Sequence, residues 1–592
     1  MDLESLRKWV YSHPVITILA VGVIFRIVFF NLVGVNYDAG LYLYDTKLLL
    51  EGQVPLIDYF SRSPLFHAFL SPAILFDFSP IVTARIQMVL VSLTLAIVIY
   101  LATTKLHSRE AGIIAMAVFV LAPFELVWGL WLKTEQVAQL LVLAGLLPLL
   151  GHLDDERIPL RDMILLGGAV GAAFFVRRVV IVHFGVVLLF LLYYRYRISE
   201  KSLIDPVSRG AVFGISAGVT LLIGYLVWSG GSAGNFVELL NTHLLGLVSE
   251  PASAGNAAEG ETGILESVFS FVYGVAASNL SSLFTYMRAV TVLLPVLLLL
   301  LIFPIVFLRR EIGNTRTFSI FAVLGVGAVL LALLVHIAPF TESSWLAEAF
   351  IVAIIVGLGL AVIALTPQFE GKSDTLLWNP KLLLPAGLAV AIVVSYAVRD
   401  RGMFVTYFQD VFPYLAILTG VAAVVLWQET KLETPKKVAW SGLLAIAIIV
   451  SFSMASPLVV GPASGGTQIT VTDAVAIGND LNEEFGDDAQ GFSAQPLYML
   501  EANHSVANGF SRKYWIVTSE PESEESREII NETASELESG ETQYIIVESR
   551  SKNIIIGEIS KIFEQNYCSG STNEDRDDAY HRSNAQLYYY CG

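Results

Sequence analysis

The amino-acid sequence predicts a polytopic α-helical membrane protein with a soluble α/β domain at its C-terminal end. Apolar side chains make up 55% of the 592 residues, and the mean hydropathy of +0.65 is too high for a soluble enzyme with one core. The charges are unevenly placed, because residues 460–592 hold 23 Asp and Glu but only 8 Lys and Arg. We therefore expect a membrane part over residues 1–459 and an acidic soluble domain over residues 460–592.

Thirteen apolar runs are long enough to cross a bilayer, since a helix of roughly 20 residues spans about 30 Å of hydrocarbon. The runs lie near 15–34, 81–104, 111–128, 134–152, 162–176, 179–196, 209–229, 286–308, 317–337, 345–365, 381–398, 403–427 and 438–458. No small-residue cleavage site precedes or ends the first run, so we expect it to be a retained span and not a removed signal.

A shorter apolar run at 64–78 decides the predicted topology. It holds two prolines, and it either crosses as a fourteenth span or lies along the membrane surface. Lys and Arg collect in cytoplasmic loops, and 18 of the 36 basic residues fall in such loops only if this run does not cross. We therefore predict thirteen crossings in a multi-pass plasma-membrane protein, with the N-terminus in the cytoplasm and the C-terminal domain outside the cell.

The C-terminal segment is predicted to form a small extracellular α/β domain. TQITVT, YIIVES and AQLYYYC read as strands, and DAVAIGNDLNEEF and IGEISKIFEQNY read as helices. Cys568 and Cys591 permit one disulfide in an oxidising compartment. The net charge of −15 suits a surface kept soluble in concentrated salt or a cationic partner, and we favour the first interpretation. Three Asn-x-Ser/Thr sequons, at 279, 503 and 531, face outward in this topology.

Ten basic residues lie outside both the cytoplasmic loops and the C-terminal domain, against the usual charge bias. They are Arg26, Lys47, Arg62, Arg85, Lys133, Arg177, Arg178, Arg288, Arg399 and Arg401. Charged groups at membrane depth are costly and mark sites or partners, so the group as a whole predicts an outward-facing anionic ligand such as a phosphate. For any single residue, contact with lipid headgroups is the alternative interpretation.

Carboxylates lie on the same side of the predicted membrane. Asp38 and Asp58 belong to the first outer loop, Glu125 and Glu135 flank the second, and Glu342 lies in HIAPFTESS. An isolated Asp after a membrane helix usually acts as a helix cap or a solvated charge. Because ten basic residues also lie against the usual charge bias, these carboxylates indicate a catalytic or ligand-binding site.

The segments that carry these residues resemble the GT-C membrane glycosyltransferases, in particular family 39, with its protein O-mannosyltransferases and lipid A aminoarabinose transferases. YDAGLYLYD at 37–45 is similar to the acidic motif that opens the family's first outer loop, and SRSPLFHAFLSP at 61–72 is similar to the K/R-P-P-L-F/Y segment that closes it. ARIQMVLVSLTLAIVIYLATTKL, LWLKTEQVAQLLVLAGLL, GAAFFVRRVVIVHFGVVLLFLL and MFVTYFQDVFPYLAILTG resemble later family segments in the same order. Ala39 and Ser63 depart from the two loop motifs.

The resemblance implies a GT-C fold with a catalytic first outer loop at 35–80. It also implies an inverting hexosyltransferase that moves mannose or another hexose from a dolichyl or polyprenyl monophosphate to a glycan or protein acceptor on the outer membrane face. Together with the acidic C-terminal segment, the resemblance makes an archaeal pathway of protein or surface-layer glycoprotein glycosylation the expected setting. No nucleic-acid partner is expected.

The resemblance further implies roles for individual residues. Asp38 is the general base and Glu135 the second carboxylate. Arg62, Arg85 and Arg178 bind the phosphate, whose charge grows as the bond to the sugar breaks. The acceptor-contacting or accessory residues are Asp58, Glu125, Glu342 and Arg401. Metal dependence stays open, and a divalent cation such as Mg²⁺ or Mn²⁺ would take Asp38 and Glu135 as oxygen ligands.

A transporter or flippase for solutes or polyprenyl-linked glycans is the alternative function. Transporters commonly show paired repeats and broken helices with ionisable groups near the midplane. Here most misplaced charges gather at one rim, and no internal repeat is evident. A sensor or adhesion protein is a third class, but it would need only one of the thirteen spans as an anchor.

Overall fold

The computed structural model describes most of the N-terminal half of the chain and parts of the remainder. The described ranges are 12–55, 57–59, 63–76, 78–153, 158–198, 204–245, 380–397, 408–429, 469–507, 524–548, 557–569 and 585–591, with the single positions 4, 5, 9, 61, 155, 555 and 580. The predicted spans at 286–308, 317–337, 345–365 and 438–458 lie outside these ranges, as do Arg62, Glu342 and Arg401.

Helices fill the described part of residues 1–459. They are α1 Pro14–Phe29, α2 Tyr37–Leu50, α3 Pro64–Leu75, α4 Pro80–Leu106, α5 Arg109–Leu121, α6 Pro123–Trp128, α7 Thr134–Gly151, α8 Leu160–Phe174, α9 Ile181–Ile198, α10 Ile204–Trp228, α11 Ala233–Leu239, α12 Leu383–Ala397 and α13 Phe408–Glu429. Nine of the thirteen predicted spans coincide with helices in this set. Among the described residues α4, α7 and α10 are long and apolar enough, by length and composition, to cross a membrane.

Two apolar runs differ in shape from a single straight span. The run 111–128 is broken into α5 and α6, because Pro123 begins a new helix and has no N–H to continue the previous one. The run 64–78 forms α3, whose 12 residues extend only about 18 Å and cannot cross the hydrocarbon layer. The length of α3 supports the prediction that this run lies along the membrane.

Helix pairs in the bundle pack closely where glycine faces backbone. A Cβ added at Gly167 of α8 would lie 2.5 Å from the carbonyl oxygen of Phe213 in α10, and a Cβ at Gly420 of α13 would clash with the carbonyl oxygen of Ala111 in α5. Small residues allow such close approach, which is a common basis of helix association in membranes. A larger side chain at either glycine would therefore push the two helices apart.

The C-terminal part is a five-stranded sheet with helices on both faces. Its elements are α14 Val471–Phe485, β1 Gln490–Phe492, α15 Leu497–Glu501, β2 Ser505–Val506, α16 Glu524–Ser539, β3 Tyr544–Val547, α17 Gly557–Asn566, β4 Tyr567–Ser569 and β5 Gln586–Tyr590. The strand order is β2-β1-β3-β5-β4. β1 runs parallel to β2 and β3, whereas β5 runs antiparallel to β3 and β4.

Successive side chains of β3 point to opposite faces of the sheet, and each face is covered by an apolar core. Tyr544 and Ile546 face a core that is continuous with the helical bundle, and Ile545 and Val547 face the core beneath α16 and α17. The two helices predicted from sequence, and the strands predicted in YIIVES and AQLYYYC, are present. A disulfide joins Cys568 and Cys591, which the sequence permitted without deciding.

The strand predicted at TQITVT is wrong in its described residues, because a helix begins there. The Thr470 hydroxyl accepts the amide N–H of Asp473 at 3.1 Å, and the Asp473 carboxylate accepts the amide N–H of Thr470 at 3.3 Å. This reciprocal capping box satisfies two donors at the start of α14. It outweighs the β-propensity of the Ile, Val and Thr side chains.

The C-terminal domain docks on the first loop of the membrane part. The amide N–H of Val35 donates to the carbonyl oxygen of Ile469 at 2.7 Å, just before α2. Farther along α2, the Lys47 ammonium lies 3.5 Å from the carbonyl oxygen of His504. Buried residues of both parts belong to one hydrophobic core. The position of α2 therefore depends on the C-terminal domain.

Gly40 allows α2 to approach this domain closely. A Cβ at this position would clash with Oε1 of Gln495 and would lie 2.9 Å from the backbone nitrogen of Leu497. We expect Gly40→Ala to loosen docking by about 1–3 kcal/mol, seen as faster proteolysis of residues 469–507 in detergent. Gly185→Ala in α9 is the matched control, because no atom lies within 4 Å of its Cβ. Equal protease resistance of the two variants would contradict this account.

Glu501 makes docking pH-dependent. Its carboxylate accepts the Ser79 hydroxyl at 2.6 Å and the Ile81 amide N–H at 2.8 Å, at the start of α4. Burial raises the pKa of Glu501 to about 7, although these two hydrogen bonds lower it. The docked state then holds the proton more tightly than the separated state does, so docking weakens as the pH rises from about 4.5 to about 7.

We expect the Ile81 amide to exchange faster with deuterium at pH 8 than at pH 5.5, after correction for the intrinsic exchange rate. Glu501→Gln stays neutral at both values, so its corrected exchange should be the same at both. A wild-type protein with no such difference, or a variant that keeps it, would count against Glu501 as the titrating group.

Candidate active site

Charged and polar side chains from five chain segments meet at one end of the helical bundle. The segments are the first turn of α2, the start of α7, the turn after α8, the end of α12 and the start of α13. They contribute Asp38, Lys133, Glu135, Arg177, Tyr396 and Asp410. We call these six residues the polar cluster.

The half-open part of the polar cluster is the ion pair of Asp38 and Lys133. The Lys133 ammonium donates to Oδ2 of Asp38, whose side chain is 35% exposed. Burial by itself lowers the pKa of Lys133, but the negative charges of Asp38 and Glu135 raise it above its ordinary value. Lys133 is therefore a cation that holds the predicted base.

Backbone contacts fix the two loops that carry this pair. The Asn36 side chain donates to the carbonyl oxygen of Leu132 and accepts the Leu132 amide N–H, both at 3.2 Å. The Trp131 indole N–H donates to the carbonyl oxygen of Gly34 at 3.1 Å. Asp38 and Lys133 each lie within two residues of these contacts. The ion pair therefore joins two loops that are already hydrogen-bonded to each other.

The buried part of the polar cluster is centred on Arg177. Its guanidinium contacts Oε1 of Glu135 at 3.0 Å and Oδ2 of Asp410 at 2.7 Å. It also donates to the Tyr396 hydroxyl at 2.7 Å and to the Thr134 hydroxyl at 3.0 Å. Tyr396 in turn donates to Asp410. One planar cation therefore joins α7, α12 and α13 to the turn after α8.

A further layer of hydrogen bonds supports Asp410 from within the bundle. The Gln139 amide donates to Oδ1 of Asp410 at 3.1 Å and accepts the Tyr414 hydroxyl at 2.7 Å. His183 lies 3.1 Å from the same amide. All three supporting side chains are buried. Such a network fixes the Asp410 carboxylate, and through Arg177 it fixes Glu135.

Glu125 belongs to a separate buried network. Its Oε1 accepts the Ser92 hydroxyl at 2.8 Å and the Gln136 amide at 2.5 Å, and it lies 3.9 Å from the Arg26 guanidinium. Arg26 also donates to Ser92 at 2.6 Å. The contact with Gln136 holds the start of α7 next to Glu135. This geometry favours a structural role for Glu125 over its predicted contact with the acceptor.

Arg85 and Asp58 also form hydrogen bonds with backbone groups. The buried Arg85 guanidinium donates to the carbonyl oxygens of Phe30, Val33 and Gly34, which follow α1. Asp58 accepts the Val54 amide N–H at 2.6 Å within a surface turn. These contacts favour the stabilisation of loops over the predicted binding of phosphate by Arg85 and of acceptor by Asp58. Arg178 is buried in the turn before α9, near Tyr225.

The structure brings Asp38 and Glu135 into one cluster and adds residues to which the sequence analysis gave no role. Lys133 and Arg177 were among the ten misplaced cations, and Asp410 lies in the segment MFVTYFQDVFPYLAILTG that carries the late family resemblance. An acidic residue within the predicted span 403–427 was the available signal for Asp410. Tyr396 carried no signal beyond its position at a span end.

The described residues do not form a divalent-metal site around Asp38 and Glu135. Asp38 pairs with Lys133, and Glu135 pairs with Arg177, so each predicted ligand is already matched by a cation. Within the described part of the chain, no three His, Cys, Asp or Glu side chains are arranged to hold a metal ion. We therefore assign no step to a metal.

No known protein-family model matches the chain, and no curated protein matches it either. Among solved structures, the chain is similar to ArnT from Cupriavidus metallidurans bound to undecaprenyl phosphate, with a TM-score of 0.52 and 12% identity over 97% of both chains. It is equally similar to apo ArnT, with a TM-score of 0.52 and 12% identity over 98% of both chains.

A weaker similarity links the chain to the archaeal oligosaccharyltransferase AglB from Archaeoglobus fulgidus in complex with an inhibitory peptide and a dolichol-phosphate. The TM-score is 0.47 at 12% identity, over 95% of this chain and 73% of that one. The similarity to ArnT, a GT-C aminoarabinose transferase, confirms the predicted GT-C membrane fold. The narrower assignment to family 39 stays a prediction.

Proposed function

We propose that the protein is a glycosyltransferase that moves a sugar, mannose or another hexose, from a dolichyl or polyprenyl monophosphate to a hydroxyl of a glycan or protein. The polar cluster is the active site in this proposal. It lies on the extracellular face, with the N-terminus inside the cell and residues 460–592 outside. Protein or cell-surface glycosylation is the resulting process.

The observation that carries the proposal is the convergence of Asp38, Lys133, Glu135 and Arg177 at one end of a GT-C bundle. ArnT, which shares this fold, was solved with undecaprenyl phosphate, a lipid phosphate of the kind that the proposed donor would leave behind. A half-exposed carboxylate beside cations suits a reaction in which a proton is accepted and a phosphate departs.

The proposed chemistry is one inverting displacement. The acceptor oxygen attacks the anomeric carbon and forms the new glycosidic bond, while its proton moves to the Asp38 carboxylate. The bond from the anomeric carbon to the phosphate oxygen breaks, and its electron pair leaves with the polyprenyl monophosphate. Cations stabilise the charge that grows on this oxygen, and Arg62 and Arg178 keep their predicted place beside the phosphate.

Buried residues give this reaction its geometry. Arg177 holds Glu135 by a 3.0 Å ion pair, so Glu135 is fixed on the cluster side of α7, where we propose that it orients the acceptor. Glu342 and Arg401 keep the accessory roles predicted from the sequence. A site whose groups are already in position needs little reorganisation in the transition state.

A transfer assay in membranes tests the proposal. Membranes that contain the full-length chain are incubated with radiolabelled dolichyl-phosphate mannose or dolichyl-phosphate glucose, and label is followed into glycolipid and glycoprotein fractions. We expect transfer from at least one lipid-phosphate sugar, with inversion at the anomeric carbon. Transfer only from nucleotide sugars, or movement of intact lipid-linked sugar across the bilayer without transfer, would overturn it. The second outcome would favour the flippase.

A further inference from the structure

Lys133 has hydrogen-bonding capacity that its contacts do not use. An ammonium carries three N–H donors, and in the described structure Lys133 makes one side-chain hydrogen bond, to Asp38. The other cations near the cluster are engaged differently. Arg177 contacts two carboxylates and two hydroxyls, and Arg85 contacts three backbone carbonyls. Of these three cations, Lys133 is therefore the best able to take an additional ligand.

The charge balance of the polar cluster favours the turning of one of its own cations towards a phosphate that binds beside it. Its three carboxylates, Asp38, Glu135 and Asp410, face two cations, Lys133 and Arg177. A phosphate that entered this arrangement would add to an existing excess of negative charge. Arg177 cannot turn towards it without leaving Glu135 and Asp410 unpaired in a buried place, which is strongly unfavourable. Lys133 would give up only its contact with Asp38, whose side chain is 35% exposed to solvent.

The fixed backbone and flexible side chain of Lys133 would let its ammonium exchange Asp38 for a phosphate as its partner. Its backbone is fixed by the bonds between Leu132 and Asn36, while its ammonium ends a flexible four-carbon stem. The side chain is 14% exposed, and its ammonium contacts the Asp38 carboxylate, whose side chain is 35% exposed. A carboxylate released from an ammonium also becomes a better proton acceptor, because an adjacent positive charge favours its ionised form.

We propose that Lys133 binds the phosphate of the lipid donor and that its ion pair with Asp38 is the resting state of the site. Binding of the phosphate draws the ammonium away from Asp38, so the ammonium no longer competes with the acceptor hydroxyl for that carboxylate. The inference rests on the proposed function and adds Lys133 to it as a phosphate-binding residue. It also makes base activation conditional on the presence of donor.

Binding of sugar-free dolichyl monophosphate separates this proposal from a structural ion pair. The full-length protein is placed in phosphatidylcholine nanodiscs, and the dissociation constant is measured with tritium-labelled lipid. We expect Lys133→Gln to weaken binding roughly tenfold or more and Lys133→Arg to retain most of it. Asp38→Asn should bind several-fold more tightly than wild type, because it no longer competes for the ammonium. Lys105→Gln, at the C-terminal end of α4, is the control and should bind as wild type does.

Two competition experiments identify the molecule that supplies the bound phosphate. Inorganic phosphate and nanodiscs containing phosphatidylglycerol are tested as competitors, and we expect neither to displace the labelled lipid at concentrations near its dissociation constant. Turnover supplies a second readout. Lys133→Gln should raise the KM for donor, whereas Asp38→Asn should lower kcat without raising that KM.

Each other outcome overturns the inference. Unchanged binding in Lys133→Gln would remove Lys133 from the phosphate site while leaving the proposed function intact. Weaker binding in both Lys133→Gln and Asp38→Asn would show that the pair only holds the loops together. Displacement by phosphatidylglycerol would mean that Lys133 contacts bulk lipid headgroups. A wild-type protein that transfers sugar in membranes but binds no dolichyl monophosphate would overturn the inference alone, whereas absence of both would overturn the proposed function too.

Discussion

Asp38→Asn should lower sugar transfer by about 10²–10⁴-fold, which is the usual contribution of a positioned general base. The substitution keeps the size and shape of the side chain but removes its ability to accept the proton of the acceptor hydroxyl. The loss should appear in kcat, because the amide still fits at the start of α2. Initial rates in membranes with a lipid-phosphate sugar measure it.

A matched substitution distinguishes loss of the base from loss of structure. Asp205 also lies in the first turn of a helix, α10, where it pairs with Arg209, outside the polar cluster. Asp205→Asn should therefore retain near wild-type transfer. If Asp38→Asn transferred sugar as fast as Asp205→Asn, the base would have to be another residue.

Arg177→Met should destabilise the protein more than any other single change in the cluster. It leaves Glu135 and Asp410, both buried, without their shared cation, and breaking a buried pair in this way costs about 3–5 kcal/mol. We expect a lower midpoint of thermal unfolding in detergent, followed by fluorescence-detected size-exclusion chromatography, and loss of transfer. Arg177→Lys restores charge without the planar geometry and should recover only part of the stability.

Two comparisons show whether burial is the cause. Arg209→Met removes an ion pair between residues four apart in α10 whose carboxylate, Asp205, is 25% exposed, whereas Glu135 and Asp410 are buried, so its cost should be clearly smaller than that of Arg177→Met. Adding Asp410→Asn to Arg177→Met removes one of the two stranded charges and should regain stability. A double variant less stable than Arg177→Met alone would show that the network, and not the unpaired charge, dominates the loss.

Hydrophobic run length predicted most of the described helical architecture, because membrane thickness imposes one length scale on every span. For the run 64–78, the distribution of Lys and Arg decided against a crossing, and the length of α3 agrees with that prediction. Run length could not place the break between α5 and α6 until Pro123 was considered as a helix start. In the C-terminal domain, Thr470 and Asp473 illustrate the opposite case, since a local capping box overrides a run of β-branched residues.

The candidate site was predictable only in part. Asp38 and Glu135 follow helix boundaries that the sequence reveals, but the pairing of Arg177 with Asp410 joins positions 233 residues apart. A single sequence does not reveal which residues so far apart along the chain lie close together in the fold. Likewise, the charge of Arg85 at a span end predicts phosphate binding, whereas its hydrogen bonds to the carbonyl oxygens of Val33 and Gly34 after α1 could not be predicted from the sequence. Charge indicates that a partner is needed, and the fold alone decides which partner it is.

The docking of Glu501 on the start of α4 has a consequence for biosynthesis. Its bond to the Ile81 amide joins positions 420 residues apart in the chain. At about 5–20 residues per second, a ribosome needs between about 20 and 80 s to synthesise that interval. During this delay the helix that carries Asp38 lacks its docking partner, so a nascent or truncated chain has an incompletely supported polar cluster. If the polar cluster is the active site that we propose, transfer activity arises only after residues 469–507 have been made and folded.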